Sequence, residues 1–221
     1  MNRVTQLLAV AIAVLIVLLS VETYVWQTGN SSSQSHFIKV AMVGDSITAG
    51  TNYANDLWLM LGSKYAMGNF GVNGATIYTK SDNPWVEAPA FKAAKQFEPQ
   101  IVIIMLGTND ASPYLGETNQ EFIQEYSSLV LQFQQLASKP KVWIAKPPPI
   151  FSNNDGLNGT YFVQNILPDI VQVANDTGAR LIDVYDALLA HSSFFPDGVH
   201  PDPGGSILVA NVTYGALTSA K

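Results

Sequence analysis

Five short strand-like runs, 38–43, 65–69, 101–106, 142–145 and 181–184, are separated along the chain by helical segments. Such alternation is what a three-layer α/β domain requires, with helices packed on a central sheet. The clearest helix is predicted over residues 118–137, where Phe122, Ile123, Tyr126, Leu129, Val130 and Phe133 recur at helical spacing as a core-facing stripe. Thr118 and Glu121 form a capping-box pattern at its start. A last helix is expected over 205–217. With 221 residues, 48% of them hydrophobic and 13% charged, the chain has material for one core, and that core needs no disulfide, as the absence of cysteine demands.

Three of the strand-like runs end in turns that hold chemistry. After 38–43 comes Gly44-Asp45-Ser46-Ile47-Thr48, which presents a serine at a strand exit. Alone, those residues also suit a turn and a helix start for backbone reasons. Near the C-terminus stands Asp197-Gly198-Val199-His200-Pro201, where a loop can fold the carboxylate back onto the imidazole. Serine attack on an ester needs a base for the hydroxyl proton, and the base needs a carboxylate that sets its tautomer. Ser46, His200 and Asp197 supply these roles; Asp186 and Asp183 are the nearest acids before Asp197 in sequence. His36 lies in a polar linker and His191 ends a helix-like segment, so both read as structural.

The tetrahedral intermediate of acyl transfer needs fixed donors around its oxyanion. Asn69-Phe70-Gly71-Val72-Asn73-Gly74 and Gly107-Thr108-Asn109-Asp110 can provide them. Each follows a strand, and ligands of open α/β sheets bind at the strands' C-terminal ends.

With these four ordered blocks the chain resembles the SGNH hydrolases, also called the GDSL esterase and lipase family, from about Lys39 to the C-terminus. The resemblance implies a flavodoxin-like α/β/α sandwich with a central parallel sheet. It maps the nucleophile to Ser46, the oxyanion-hole donors to Gly74 and Asn109, and the acid and base to Asp197 and His200. Gly71 rivals Gly74, since two glycines fall in one turn. The first block reads Gly-Asp-Ser-Ile where the family name implies Leu, which conserves an apolar contact. No Gly-x-Ser-x-Gly elbow, phosphate loop or dinucleotide fingerprint competes, and no cofactor or metal site is inferred.

Outside the catalytic blocks, a net charge of −6 argues against nucleic-acid or anionic-lipid partners. Residues 4–21 carry no charge, between Arg3 and Glu22, so residues 1–26 read as a signal peptide or an uncleaved signal anchor, followed by a polar linker over 27–37 and a catalytic domain over 38–221. Asn-x-Ser/Thr triplets at Asn30, Asn158, Asn175 and Asn211 fit passage through a secretory pathway, with the domain lumenal or extracellular. Substrate choice falls to the loops: Tyr53, Tyr78, Trp85 and Tyr114 are candidates either to stack on a sugar at the mouth or to pack, and 146–151 is a Pro-rich strand exit. The blocks are similar to those of carbohydrate O-acetylesterases within the family. The expected activity is hydrolysis of short-chain, foremost acetyl, esters on a small-molecule or glycan substrate; the alternatives are a lysophospholipase or short-chain lipid esterase, and an inactive glycan-binding glycoprotein.

Overall fold

The computed structural model describes residues 15, 16, 20, 37–116, 118–153 and 156–219. The chain divides into two units, Met1–His36 and Phe37–Lys221. The expected targeting segment and linker fall in the first unit, where all but three residues lie outside those described, as do His36 and Asn30. Among the described residues no helix is long and apolar enough to cross a membrane.

In the second unit, strands β1 (Ile38–Gly44), β2 (Tyr65–Gly71), β3 (Ile101–Met105), β4 (Lys141–Lys146) and β5 (Arg180–Asp183) form one parallel sheet in the order β2-β1-β3-β4-β5. Around it run helices α1 (Ser46–Gly50), α2 (Tyr53–Leu61), α3 (Pro89–Gln96), α4 (Asn119–Gln134), α5 (Leu167–Thr177), α6 (Val184–Leu188) and α7 (Pro203–Ser219). Successive strand residues point to opposite faces, and that splits the core in two. Ala41, Val43, Val102, Ile104, Val142 and Ile144 pack with Ala94 of α3, the stripe of α4, and Ile170 and Val173 of α5. Val40, Met42, Ile103, Met105, Trp143 and Ala145 pack with Leu57 of α2, Leu188 of α6, and Val209 and Ala210 of α7. The result is the expected three-layer α/β/α sandwich.

Element ends differ from expectation by a few residues, for local reasons. Helix α4 starts where predicted, with the Thr118–Glu121 capping box formed in both directions. It stops at Gln134 rather than 137, because Lys139 turns to a φ of 48° and Pro140 cannot continue a helix. Strand β3 ends at Met105, one residue early, ahead of Gly107 with its φ of 117°. Strand β5 ends at Asp183, whose carboxylate accepts from Asp186 N–H and starts α6.

The strand order sets the site. From β1 the chain moves outward to β2, then crosses back to β3 on the other side of β1. The crevice outside the C-terminal ends of β1 and β3 is therefore the topological switch point where such sheets bind ligands.

Candidate active site

Ser46 is the first residue of α1, separated from the end of β1 by Asp45 alone. Asp45 caps that helix, its carboxylate accepting from Ile47 N–H at 2.9 Å, and this holds the sharp turn that points Ser46 out of the sheet. Gly44 allows the turn: a Cβ there would sit 2.0 Å from Thr48 Oγ1. Ser46 Oγ lies 2.7 Å from His200 Nε2, and His200 Nδ1 lies 2.7 Å from Asp197 Oδ2. With Nδ1 donating to the carboxylate, Nε2 is left as the acceptor of the serine proton.

The Asp197–His200 loop is held from both sides. Asp197 Oδ1 accepts from Val199 N–H at 2.8 Å and from His200 N–H at 2.7 Å, so the acid and base are one folded unit. Phe151 N–H donates to Gly198 O at 2.8 Å, the rings of Phe151 and Phe195 pack 5.0 Å apart, and Gly198, with φ 84°, leaves no room for a Cβ against Ser152. The Pro-rich exit of β4 thus acts as the wall against which this loop rests. Partial burial pushes the Asp197 carboxyl up, but the two backbone N–H groups and the His200 imidazole outweigh it and bring it down to about 2. It stays ionised wherever a neutral imidazole can act.

Asn109 and Gly74 face the same cleft as Ser46 and His200, a volume of about 540 Å³ that Asn73, Thr51, Leu157, Val199 and Pro201 also line. One hydrogen of Asn109 Nδ2 goes to Ala75 O at 2.9 Å, which leaves the second free to point at a ligand. The two candidate glycines separate clearly. Gly71 belongs to β2, its N–H donates to Asn69 Oδ1 at 3.0 Å, and a Cβ would meet Ala49 N at 2.3 Å, so its role is close packing. Gly74 sits at φ 70° with its N–H directed at no acceptor among the described residues.

Other residues singled out in the sequence lie elsewhere. Asp183 pairs with Lys146 and caps α6, and Asp186 lies 3.7 Å from the same ammonium, so neither orients His200. His191 stacks on Phe194. Of the aromatic candidates for the mouth, three are core: Trp85 is fully buried against Phe91 and Phe133 and donates to Phe70 O, Tyr53 is buried with its hydroxyl on Thr48, and Tyr78 is buried too. Only Tyr114 is exposed. Asn175 on α5 and Asn211 on α7 are exposed, whereas the Asn158 side chain accepts from Tyr161 N–H at 2.9 Å and caps a helical turn.

Sequence reasoning passed over the acids inside the motifs. Asp45 and Asp110 are fully buried, and Asp110 Oδ1 accepts from Ile77 N–H at 2.8 Å and Tyr78 N–H at 3.0 Å, which ties the segment after Gly74 to the exit of β3. Each stands in a short turn within a few residues of the end of an apolar strand. Nothing in the pattern distinguishes a buried Asp there from a surface one.

The profile of the GDSL-like lipase/acylhydrolase family matches residues 42–206. An acetylxylan esterase of Xylanibacter ruminicola is 28% identical over 218 residues, a match that covers 87% of this chain and 45% of that protein. The chain thus spans less than half the length of this relative. Among solved structures, a carbohydrate acetylesterase of Sinorhizobium meliloti aligns over 83% of this chain and 99% of its own with a TM-score of 0.71 at 21% identity. An aryl esterase of M. smegmatis aligns over 83% and 99% with a TM-score of 0.70 at 18% identity. At such identities these two speak for the fold. The profile match covers well over half of the residues and includes all four motif blocks, so the chain belongs to the GDSL-like lipase/acylhydrolase family, a family of ester and acyl hydrolases.

Proposed function

We propose that the chain is a serine esterase that removes short acyl groups, acetyl foremost, from carbohydrate hydroxyls. The observation that carries this reading is the line Ser46 Oγ, His200 Nε2, His200 Nδ1, Asp197 Oδ2, with 2.7 Å at both contacts, at the base of a cleft that Asn109 and Gly74 share. Ser46 Oγ attacks the ester carbonyl carbon as His200 Nε2 takes its proton. The resulting oxyanion is met by Asn109 Nδ2–H, Gly74 N–H and the N–H of Ser46, which as the first helical residue has no preceding turn to bond. His200 then gives its proton to the alcohol oxygen as the C–O bond breaks. Water attacks the acyl-serine by the same route, giving the carboxylic acid and restoring Ser46. Asp197 holds the imidazole's orientation and stabilises the imidazolium without itself taking a proton.

The acyl and alcohol preferences rest on the cleft and the relatives. Leu157, Val199 and Pro201 are its apolar lining, too few to bury a long acyl chain, while Asn73, Thr51 and Asn109 offer hydrogen bonds to hydroxyls. The similarity to an acetylxylan esterase supports the same choice. We assign catalysis to residues 38–221, and a targeting role, as cleaved signal or retained anchor in the secretory pathway, to 1–26. Turnover of p-nitrophenyl acetate, longer p-nitrophenyl esters, acetylated xylo-oligosaccharides and lysophospholipids by the full chain tests the reading. Acetylated sugars are expected to give the highest kcat/KM; preference for long acyl chains or lysophospholipids contradicts it.

A further inference from the structure

The end of the sheet opposite the cleft carries a surface that ester hydrolysis does not use. All five strands are parallel, so their N-terminal ends lie together there. A groove of about 600 Å³ opens at that end along β2, an edge strand, and Phe37, Asn55, Trp58, Tyr65 and Met67 line it. Phe37 is 50% exposed and Trp58 46%, and Leu59, the next residue of α2, is 72% exposed. Trp58 Nε1 donates to Tyr65 O at 2.9 Å, so the indole is held in place with its one polar atom already bonded. Isolated apolar residues on a surface are ordinary, but an apolar groove rimmed by exposed aromatics marks an interaction site.

The same end is basic. Lys64 stands between Ser63 and Tyr65, both of which line the groove. Lys39 is the second residue of β1, Lys139 and Lys141 lead into β4, and Arg180 opens β5. Pairing across the sheet sets these in a row: Lys39 lies opposite Ala66, Gln100 N–H donates to Lys39 O, and Lys141 N–H donates to Gln100 O. Lys64, Lys139, Lys141 and Arg180 are exposed, while Lys39 is half-buried with its ammonium on Phe97 O at 3.0 Å. Glu98, before β3, and Asp176, in the last turn of α5, are acids at this end. Asp110, Asp183, Asp186, Asp197 and Asp202 instead follow the strands' C-terminal ends. The net charge of −6 thus averages over two unlike ends, and it does not decide against an anionic lipid surface at the basic one.

The second unit begins at Phe37, on the rim of this groove, and the chain before it includes the uncharged residues 4–21. We propose that this end of the domain docks on an anionic bilayer surface, with Phe37, Trp58 and Leu59 at headgroup depth and the row from Lys64 to Arg180 against the anionic headgroups. Aromatic side chains favour the bilayer interface, and bases close to an anionic leaflet are attracted to it within a Debye length. Docking in this way sets the cleft about 20 Å from the lipid, the length of the seven residues of β1, and opens it toward solvent. The proposal depends neither on the acyl-transfer reading nor on whether residues 1–26 are cleaved or retained.

Quenching of tryptophan emission by lipid reads the contact. The full chain, in vesicles of equal parts phosphatidylcholine and phosphatidylglycerol brominated near the headgroup end of their acyl chains, is compared with its Trp58→Phe variant, so that emission from Trp26, Trp85 and Trp143 cancels. The emission owed to Trp58 should be quenched in these vesicles. The quenching should weaken in phosphatidylcholine alone, at high salt, and in the Lys64→Glu/Lys141→Glu variant, where each reversal lowers the docked-to-free ratio about fivefold or more. Thermal melts check that the variants fold. Should Trp58→Phe not fold, Leu59→Trp adds an indole to the same patch and its extra emission is read in the same way; should the lysine variant not fold, the salt series in the parent carries the charge test. Trp58 emission that brominated lipid leaves unquenched overturns the proposal, as does equal quenching in neutral and anionic vesicles. A blue shift of Trp58 emission with rising protein concentration in lipid-free buffer also overturns it, by giving the groove to a second copy of the chain.

Discussion

Each functional side chain can be tested apart, because its task differs in kind. Ser46→Ala removes the proposed nucleophile without altering a capping contact, since Asp45 is the cap of α1. Turnover should fall to the residual level of about 10³ to 10⁴ over water, with the thermal melt unchanged. Asn109→Ala removes a proposed oxyanion donor, one that acts on charge present only in the transition state, so kcat should fall by about 10² to 10³ with KM little changed. A rise in KM at constant kcat would make Asn109 a binding residue instead. Asp197→Asn should lower kcat by about 10⁴, because an amide can present its N–H to Nδ1 and reverse the tautomer. That the motif residues would gather in one cleft was legible, because acyl transfer calls for particular side chains in particular company. The choice between Gly71 and Gly74 was not, since it turns on a φ of 70° and on which N–H is already spent, and neither is written in a pair of glycines.

At the scale of elements, the capping box and the core stripe of α4 make separate demands on stability. Thr118→Ala should cost about 1 kcal/mol, a fall in Tm of about 2 to 4 °C in a domain of this size. Trp85→Ala should cost about 3 to 5 kcal/mol, since Trp85 fills the space between α3 and α4 against Phe91 and Phe133 and leaves a cavity. Calorimetry checks both, and an equal effect for the two would mean that the cap rather than the core holds α4. Strand and helix existence could be read from periodicity because burial on one face or two imposes the spacing. The role of Trp85 could not, because an indole in a loop of small polar residues looks the same whether it folds inward or waits for a sugar. Its short 3₁₀ turn, Trp85–Glu87, and the N–H bond to Phe70 O settle the direction.

For the whole molecule, the alternation of elements predicts layers and leaves strand order open: period-2 and period-3.6 patterns identify each element without naming its neighbour. The order β2-β1-β3-β4-β5 arises only on closure of the sheet, and it brings Ser46, Asn109 and His200 together from positions spread over 154 residues of separation at the widest contact. The buried acids beneath that junction make stability depend on pH. Asp45 and Asp110 have folded values raised above the ordinary carboxyl range, so their contribution is fully present below about pH 4 and is lost as pH rises through about 6 and about 7. Asp197 is depressed to about 2, so its contribution is present above about pH 4 and is lost only as pH falls toward 2. Chemical denaturation should therefore show stability falling between about pH 5 and about pH 8, and Asp110→Asn should flatten that fall; a rise with pH over this range would contradict the assignment of both buried acids. The account stands or falls on Ser46 as the activated nucleophile. Treatment of the full chain with a fluorophosphonate, followed by peptide mapping, should find one adduct, on Ser46, with activity lost in proportion to labelling and with no adduct in His200→Ala. A label on another serine, or ester turnover that persists after Ser46 is fully modified, would contradict it.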